Sequence, residues 1–167
     1  GFYWQIIRIN GDGSIRLLYN GTEKNADGDA KSIGTAQFNE KYDKPAYVGY
    51  TYGNPDGTTY EEVHDNINDS TLKTMIDNWY ISNLKNDIFD KYLDGNSGFC
   101  GDRTLYNGDG ISLDKYSQFS SDKRNINKTA SFICANRNLD LYTSKSSNIG
   151  NKALEYSIGT ITYDELI

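Results

Sequence analysis

The chain has 167 residues, of which 17 are basic and 23 acidic, so its formal net charge is −6. This length suits one domain, which we predict to span residues 1–167. The acidic balance lacks the basic footprint of proteins that bind DNA or RNA, so no nucleic-acid partner is expected. No run of residues approaches the ~18 consecutive apolar residues that a membrane-spanning helix needs.

Two strands joined by a tight turn are predicted at the N-terminus. Residues 4–9 and 14–19 are rich in β-branched side chains and partly alternate between apolar and polar. They flank the Gly-rich turn Asn10–Gly13, which is typical of a β-hairpin. The same pattern places the charged heads of Arg8 and Arg16 in water.

The clearest helical pattern follows Asp69 and Ser70, both of which are favourable N-cap residues. Apolar residues recur at helical spacing between positions 72 and 84. A second helical stretch is predicted over residues 88–93. The central part of the chain is therefore expected to contain one or two helices.

Further strands are predicted over residues 46–52, 139–142 and 154–161. Near the end of the chain, Thr162 is followed three residues later by Glu165, the spacing of a capping box, which predicts the start of another helix. Together these patterns predict an α+β fold with an N-terminal hairpin, one or two central helices and long loops.

The two cysteines, Cys100 and Cys134, carry two alternative interpretations. In an exported protein they would most simply form a disulfide. Closing that loop would stabilise the fold by roughly 3–4 kcal/mol on the chain-entropy account. In a cytosolic protein they would instead be two buried thiols.

His64 is the only histidine. We expect it to be a solvated surface residue. Two chemical alternatives stay open: a zinc site formed by His64 with Cys100 and Cys134, and a cysteine nucleophile with His64 as its base. The patterns of serine hydrolases, P-loop proteins and zinc proteases are missing from the sequence, so no catalytic residue is assigned.

No cofactor is predicted, although clusters of Gly, Asp and Asn suggest calcium as an alternative. The segment 107–110 resembles the centre of an EF-hand loop, but acidic residues are missing from the first and last ligand positions. An irregular calcium site could involve Asp27 with Asp29, or Asp109 with Asp114. The competing interpretation is that these residues form turns.

The chain is enriched in aromatic residues, with 14 Tyr and 2 Trp. Tyr47, Tyr50, Tyr52, Trp79 and Tyr80 surround the predicted central strand and helix. Exposed Tyr side chains can stack on sugar rings or anchor a protein partner. The four tyrosines among them are therefore the candidate binding residues, with core packing as the alternative.

Three segments carry a resemblance to a known group of proteins. Residues 3–17, 69–80 and 150–165 resemble the opening, the central helix and the late segment of uncharacterised surface-type proteins of gut Firmicutes. More weakly, the pattern is similar to the C-type-lectin-like fold of formylglycine-generating enzymes and phage-type variable receptors. The resemblance implies a partial C-type-lectin-like domain. It carries no catalytic residue over, because nothing here matches the cysteines of those enzymes.

These observations predict an extracellular, cell-surface binding module of a low-GC bacterium, with a glycan or protein ligand and no catalysis. The chain begins at Gly1, so we expect a piece of a longer exported protein whose membrane anchor has been removed. One alternative is a thiol enzyme that uses Cys100 or Cys134 with His64. Another is a structural subunit of a surface layer or filament.

Overall fold

The computed structural model of the chain describes residues 1–41, 49–86, 88–106, 119–145 and 149–166. The chain forms two compact units, residues 1–36 and 37–167. It contains both strands and helices, so the predicted α+β class is confirmed. The elements of the described residues are β1 (Trp4–Ile9), β2 (Ile15–Tyr19), α1 (Tyr60–Val63), α2 (Thr71–Asn83), β3 (Phe99–Cys100), α3 (Ser120–Asn127), α4 (Arg137–Asp140) and β4 (Leu141–Tyr142), with 3-10 turns at Gly28–Lys31, Asp90–Tyr92 and Tyr163–Glu165.

The first unit contains the predicted hairpin. Strands β1 and β2 pair antiparallel, and the turn closes through the Asn10 N–H, which donates to the Ser14 carbonyl at 2.8 Å. Gly13 adopts a φ of +87°, a conformation that glycine reaches without steric cost. The expectation that both arginine heads reach water is wrong for Arg16, which is buried.

Helix α2 is the longest element among the described residues of the second unit, and its predicted start is confirmed. Ser70 is the N-cap, and its side-chain oxygen accepts the Lys73 N–H at 3.0 Å. The helix turns Ile76 and Tyr80 into the interior. The second predicted helical stretch, 88–93, forms only the 3-10 turn Asp90–Tyr92.

A short antiparallel pair, β3 with β4, joins distant parts of the second unit. Phe99 lies opposite Tyr142 and Cys100 opposite Leu141. The predicted strand 139–142 forms only in its second half, because the Asn136 side chain caps the helical turn α4 just before it.

Two other predicted segments, 154–161 and 46–52, do not form regular strands among the described residues. Residues 154–161 form no strand. The capping box of Thr162 and Glu165 is confirmed, but the helix predicted to begin there forms only the 3-10 turn Tyr163–Glu165. Within 46–52, residues 46–48 lie outside the described residues. The described remainder makes one isolated bridge, between Tyr52 and Asp69.

Tyrosines fill much of the core of the second unit, where Tyr52, Tyr142 and Leu154 form a buried cluster. The Tyr52 and Tyr142 rings meet edge to face at 5.2 Å. The Tyr52 hydroxyl donates to the Ala153 carbonyl at 2.5 Å. Because the sequence is lean in aliphatic residues, aromatic rings supply the apolar area that a core requires.

A disulfide joins Cys100 on β3 to Cys134, 34 residues further along the chain. The predicted pairing is therefore confirmed. A disulfide is compatible with an extracellular protein. Among the helices of the described residues, none has the length and apolar composition for a membrane span.

Candidate functional site

Three of the four tyrosines predicted to bind ligand lie in the interior. Tyr50, Tyr52 and Tyr80 expose 6%, 2% and 3% of their surface, and Tyr47 lies outside the described residues. The Tyr50 ring packs edge to face against Phe119 at 5.5 Å. Buried rings of this kind offer no stacking surface to a sugar, so the core-packing alternative describes the three tyrosines that the structure places.

Tyr80 illustrates how these tyrosines are held. Its ring stacks on Tyr156 with 5.2 Å between centroids, and its hydroxyl donates to the Asp90 carboxylate. Burial raises the Tyr80 pKa, and the neighbouring carboxylate raises it further. Both effects keep the hydroxyl protonated, so the group acts as a structural hydrogen-bond donor.

His64 is buried, with 2% of its surface exposed, so the prediction of a solvated surface histidine is wrong. It follows the short helix α1, and its ring lies edge to face with Tyr50 at 5.5 Å. In the structure both cysteine sulfurs belong to the bridge between Cys100 and Cys134. In this bridged form neither sulfur can act as the thiolate nucleophile or zinc ligand that the two alternatives require.

The second unit carries an open groove of about 510 Å³ beside the start of α2. We call it the polar groove. Among the described residues, its lining bears three carboxylates, two amides, two threonine hydroxyls and one apolar residue, a proline. The lining residues are Glu40, Asn54, Pro55, Asp56, Asn68, Asp69, Thr71 and Thr74.

Backbone contacts hold the two walls of the polar groove together. The loop after Tyr52 meets the segment before α2 through the Gly53 N–H, which donates to the Asn68 carbonyl at 3.1 Å. Within that loop the Asn54 side chain accepts the Asp56 N–H at 3.0 Å, which closes a tight turn. The polar groups are therefore presented by hydrogen-bonded backbone.

Ion pairs neutralise part of the negative charge in the groove. Asp56 pairs with Lys41 at 2.6 Å, and Asp69 pairs with Lys73 at 3.0 Å. Among the described residues no ion pair involves Glu40, which is exposed. The groove thus combines hydrogen-bond acceptors with a modest net negative charge.

Lys73 is a buried lysine that pairs with Asp69, one of the residues lining the groove. Its ammonium contacts Asp77 at 2.5 Å as well as Asp69, and it lies 5.2 Å from the centre of the Tyr52 ring. Burial lowers the Lys73 pKa, but hydrogen bonds to the two aspartates outweigh that effect and raise it. Burial in turn raises the Tyr52 pKa to about 12. The lysine therefore stays charged and holds the first turns of α2 in place.

A second set of buried charges supports the rest of this unit. Arg103 is fully buried and pairs with Asp140 at 2.7 Å. Arg124 contacts both Asp102 and Asp164, the latter at 2.7 Å, and so links α3 to the 3-10 turn near the end of the chain. These partners lie 22 to 40 residues apart in sequence, so the pairs act as long-range ties.

The described residues contain no group of three or more His, Cys, Asp or Glu side chains that could hold a metal ion. Of the calcium candidates, Asp27 caps the turn Gly28–Lys31 by accepting the Gly28 N–H at 2.8 Å. Asp109 and Asp114 lie outside the described residues.

Sequence reasoning did not identify the polar groove. Asn54, Asp56 and Asn68 resemble ordinary turn residues, and Asp69 resembles a helix cap. Their common surface exists only because the bridge between Tyr52 and Asp69 brings two loops together. The one available signal was the concentration of polar residues on both sides of the predicted N-cap.

Comparisons of the chain with protein-family models, with curated proteins and with solved structures found no match.

Proposed function

We propose that this chain is a non-catalytic, extracellular binding module of a bacterial cell surface, and that its ligand is a glycan bound in the polar groove. The observation that carries the proposal is the groove itself, at about 510 Å³. Ligand sites commonly measure ~300–1,000 Å³. Carboxylates, amides and hydroxyls on a fixed backbone match the dense hydroxyl groups of a sugar.

One further observation, the disulfide, supports an exported binding module. The disulfide between Cys100 and Cys134 is typical of oxidising compartments. The resemblance to surface proteins of gut Firmicutes, and through them to the C-type-lectin-like fold, stays a prediction consistent with this role. The thiol-enzyme alternative is less favoured, because the bridged cysteines offer no thiolate.

The test compares glycan binding by the native protein with binding by matched variants. Asn68→Ala with Thr71→Ala removes two polar groups from the groove. Asn78→Ala makes the same kind of change on an exposed part of α2 outside the groove. A hydrogen bond contributes about 1 kcal/mol, so the double variant should bind roughly ten-fold more weakly or worse.

Binding would be screened on an array of bacterial and host glycans and quantified by calorimetry on the glycans that bind. The Asn78→Ala control should bind like the native protein. Absence of binding to every glycan, or equal binding by the groove variant and the control, would refute the proposal. Binding to a protein instead would favour the alternative ligand class.

A further inference from the structure

The hairpin of the first unit presents an aliphatic face to solvent. Ile6 lies opposite Leu17, and Ile9 lies opposite Ile15. Residues three apart on a regular strand point to opposite sides. Here the extra residue Ile7 forms a bulge that brings Ile6 and Ile9 to the same side. We call these four residues, Ile6, Ile9, Ile15 and Leu17, the aliphatic face.

All four residues of the aliphatic face are well exposed, by 57% for Ile6, 72% for Ile9, 48% for Ile15 and 44% for Leu17. Single exposed aliphatic residues are common on protein surfaces, but four adjacent ones form a patch. A two-stranded sheet is only marginally stable in water unless another layer covers its apolar face. The aliphatic face therefore has the properties of an interaction surface.

We propose that the occupant of this surface is a second copy of the chain, which stacks its own aliphatic face on the first across a two-fold axis. A purely apolar, charge-free face is complementary to itself, as a symmetric interface requires. The two cross-strand pairs, Ile6 with Leu17 and Ile9 with Ile15, lie side by side on one face of the hairpin, and two sheets that stack face to face pack about 10 Å apart.

The distribution of charge favours this occupant. Residues 1–36 contain 4 basic and 4 acidic residues, and thus carry no net charge. The whole chain has 17 basic and 23 acidic residues, which leaves 13 and 19 for residues 37–167. The entire net charge of −6 thus lies in the second unit. Two copies of the neutral unit can therefore meet without the like-charge repulsion that two copies of the acidic unit would experience.

The size of the surface sets the strength of the association. The four side chains expose roughly 400 Å² in one copy, so a symmetric contact would bury about 800 Å² in total, below the ~1,200–2,000 Å² of stable interfaces. We therefore expect a weak, rapidly exchanging dimer, with a dissociation constant of roughly 10 µM to 1 mM. This inference is independent of the glycan site, which lies in the other unit.

The experiment is sedimentation velocity on the disulfide-bonded protein from about 5 µM to about 2 mM, a range that spans the expected constant. Ile9→Asp places a charge at the most exposed residue of the aliphatic face in both copies. Ile67→Asp makes the same change at an isoleucine of the other unit that is 82% exposed. The native protein and Ile67→Asp should dimerise alike, and Ile9→Asp should weaken dimerisation at least ten-fold.

Methyl NMR spectra test whether the aliphatic face itself forms the contact. In methyl NMR spectra of a dilution series, the signals of Ile6, Ile9 and Ile15 should shift with concentration, while that of the buried Ile76 should not. A native protein that stays monomeric up to the highest concentration would overturn the proposal. So would equal dimerisation of the Ile9→Asp and Ile67→Asp variants.

Discussion

The buried ion pair between Arg103 and Asp140 allows a quantitative test of the scaffold. The Arg103 side chain donates to the Asp140 carboxylate at 2.7 Å and to the Asn66 side-chain oxygen and the Leu139 carbonyl, each at 2.9 Å. The change Arg103→Met would leave the Asp140 carboxylate buried without its counterion. Its Oδ2 atom accepts no hydrogen bond from the described residues. The backbone N–H of residue 103 would remain as a hydrogen-bond donor to the carboxylate.

Protonation of the Asp140 carboxylate limits how much stability the Arg103→Met substitution can remove. Burial raises the Asp140 pKa, and Arg103 opposes that rise, so the variant should bind a proton at Asp140. Protonating a carboxyl with an ordinary pKa of ~3.9 costs at most about 4 kcal/mol at pH 7 and about 1.5 kcal/mol at pH 5. The Asn66 side-chain oxygen, left without its donor, adds about 1 kcal/mol. The Leu139 carbonyl keeps two donors, from Asn66 and Asn151.

We therefore expect Arg103→Met to lower the free energy of unfolding by about 4–5 kcal/mol at pH 7 and by about 2–3 kcal/mol at pH 5. The loss is larger at pH 7 than at pH 5 because a group whose pKa is raised in the folded state contributes stability at low pH, and this stability is lost as the pH rises. Urea unfolding with the disulfide intact measures both values. Adding Asp140→Asn should remove the pH dependence and recover about 3 kcal/mol at pH 7.

Arg137→Met is the matched control, because Arg137 is exposed on α4 and the same substitution there should change stability by less than about 0.5 kcal/mol. A loss below about 1 kcal/mol for Arg103→Met, or a loss that is equal at the two pH values, would refute the reasoning.

Two further predictions concern the ties between distant segments. Replacing both Cys100 and Cys134 with alanine should lower the free energy of unfolding by about 4 kcal/mol, the chain-entropy value for a loop of 34 residues. Urea unfolding measures this loss. An unchanged urea midpoint would contradict a stabilising role of the disulfide. Burial disfavours the charged form of Asp164, but hydrogen bonds from Arg124 and the Ser131 N–H outweigh it and lower the Asp164 pKa. The ionised Asp164 therefore stabilises the protein above about pH 4, and this stabilisation is lost as the pH falls towards its lowered pKa. Asp164→Asn should make the free energy of unfolding depend less on pH in the acid range. A variant whose stability falls with acid as steeply as that of the native protein would argue against the ion pair.

The elements that could be predicted are those that depend on neighbouring residues. The hairpin follows from alternation on two strands and from Gly13 in the turn, and the N-cap at Ser70 depends on a contact three residues away. The capping box of Thr162 and Glu165 has the same short range. Side chains this close in sequence interact in any fold that contains the element, so these predictions were confirmed.

Burial and partnership depend instead on residues that are remote in sequence. His64 and Arg16 have polar side chains that suggest a surface position, yet both are buried. Arg103 finds Asp140 37 residues away, and the Tyr52 hydroxyl reaches a carbonyl 101 residues away. Such contacts depend on how the whole chain packs, which no local pattern encodes. The same packing buried Tyr50, Tyr52 and Tyr80, which were expected to bind ligand, and it assembled the polar groove from two loops whose sequences are those of ordinary turns.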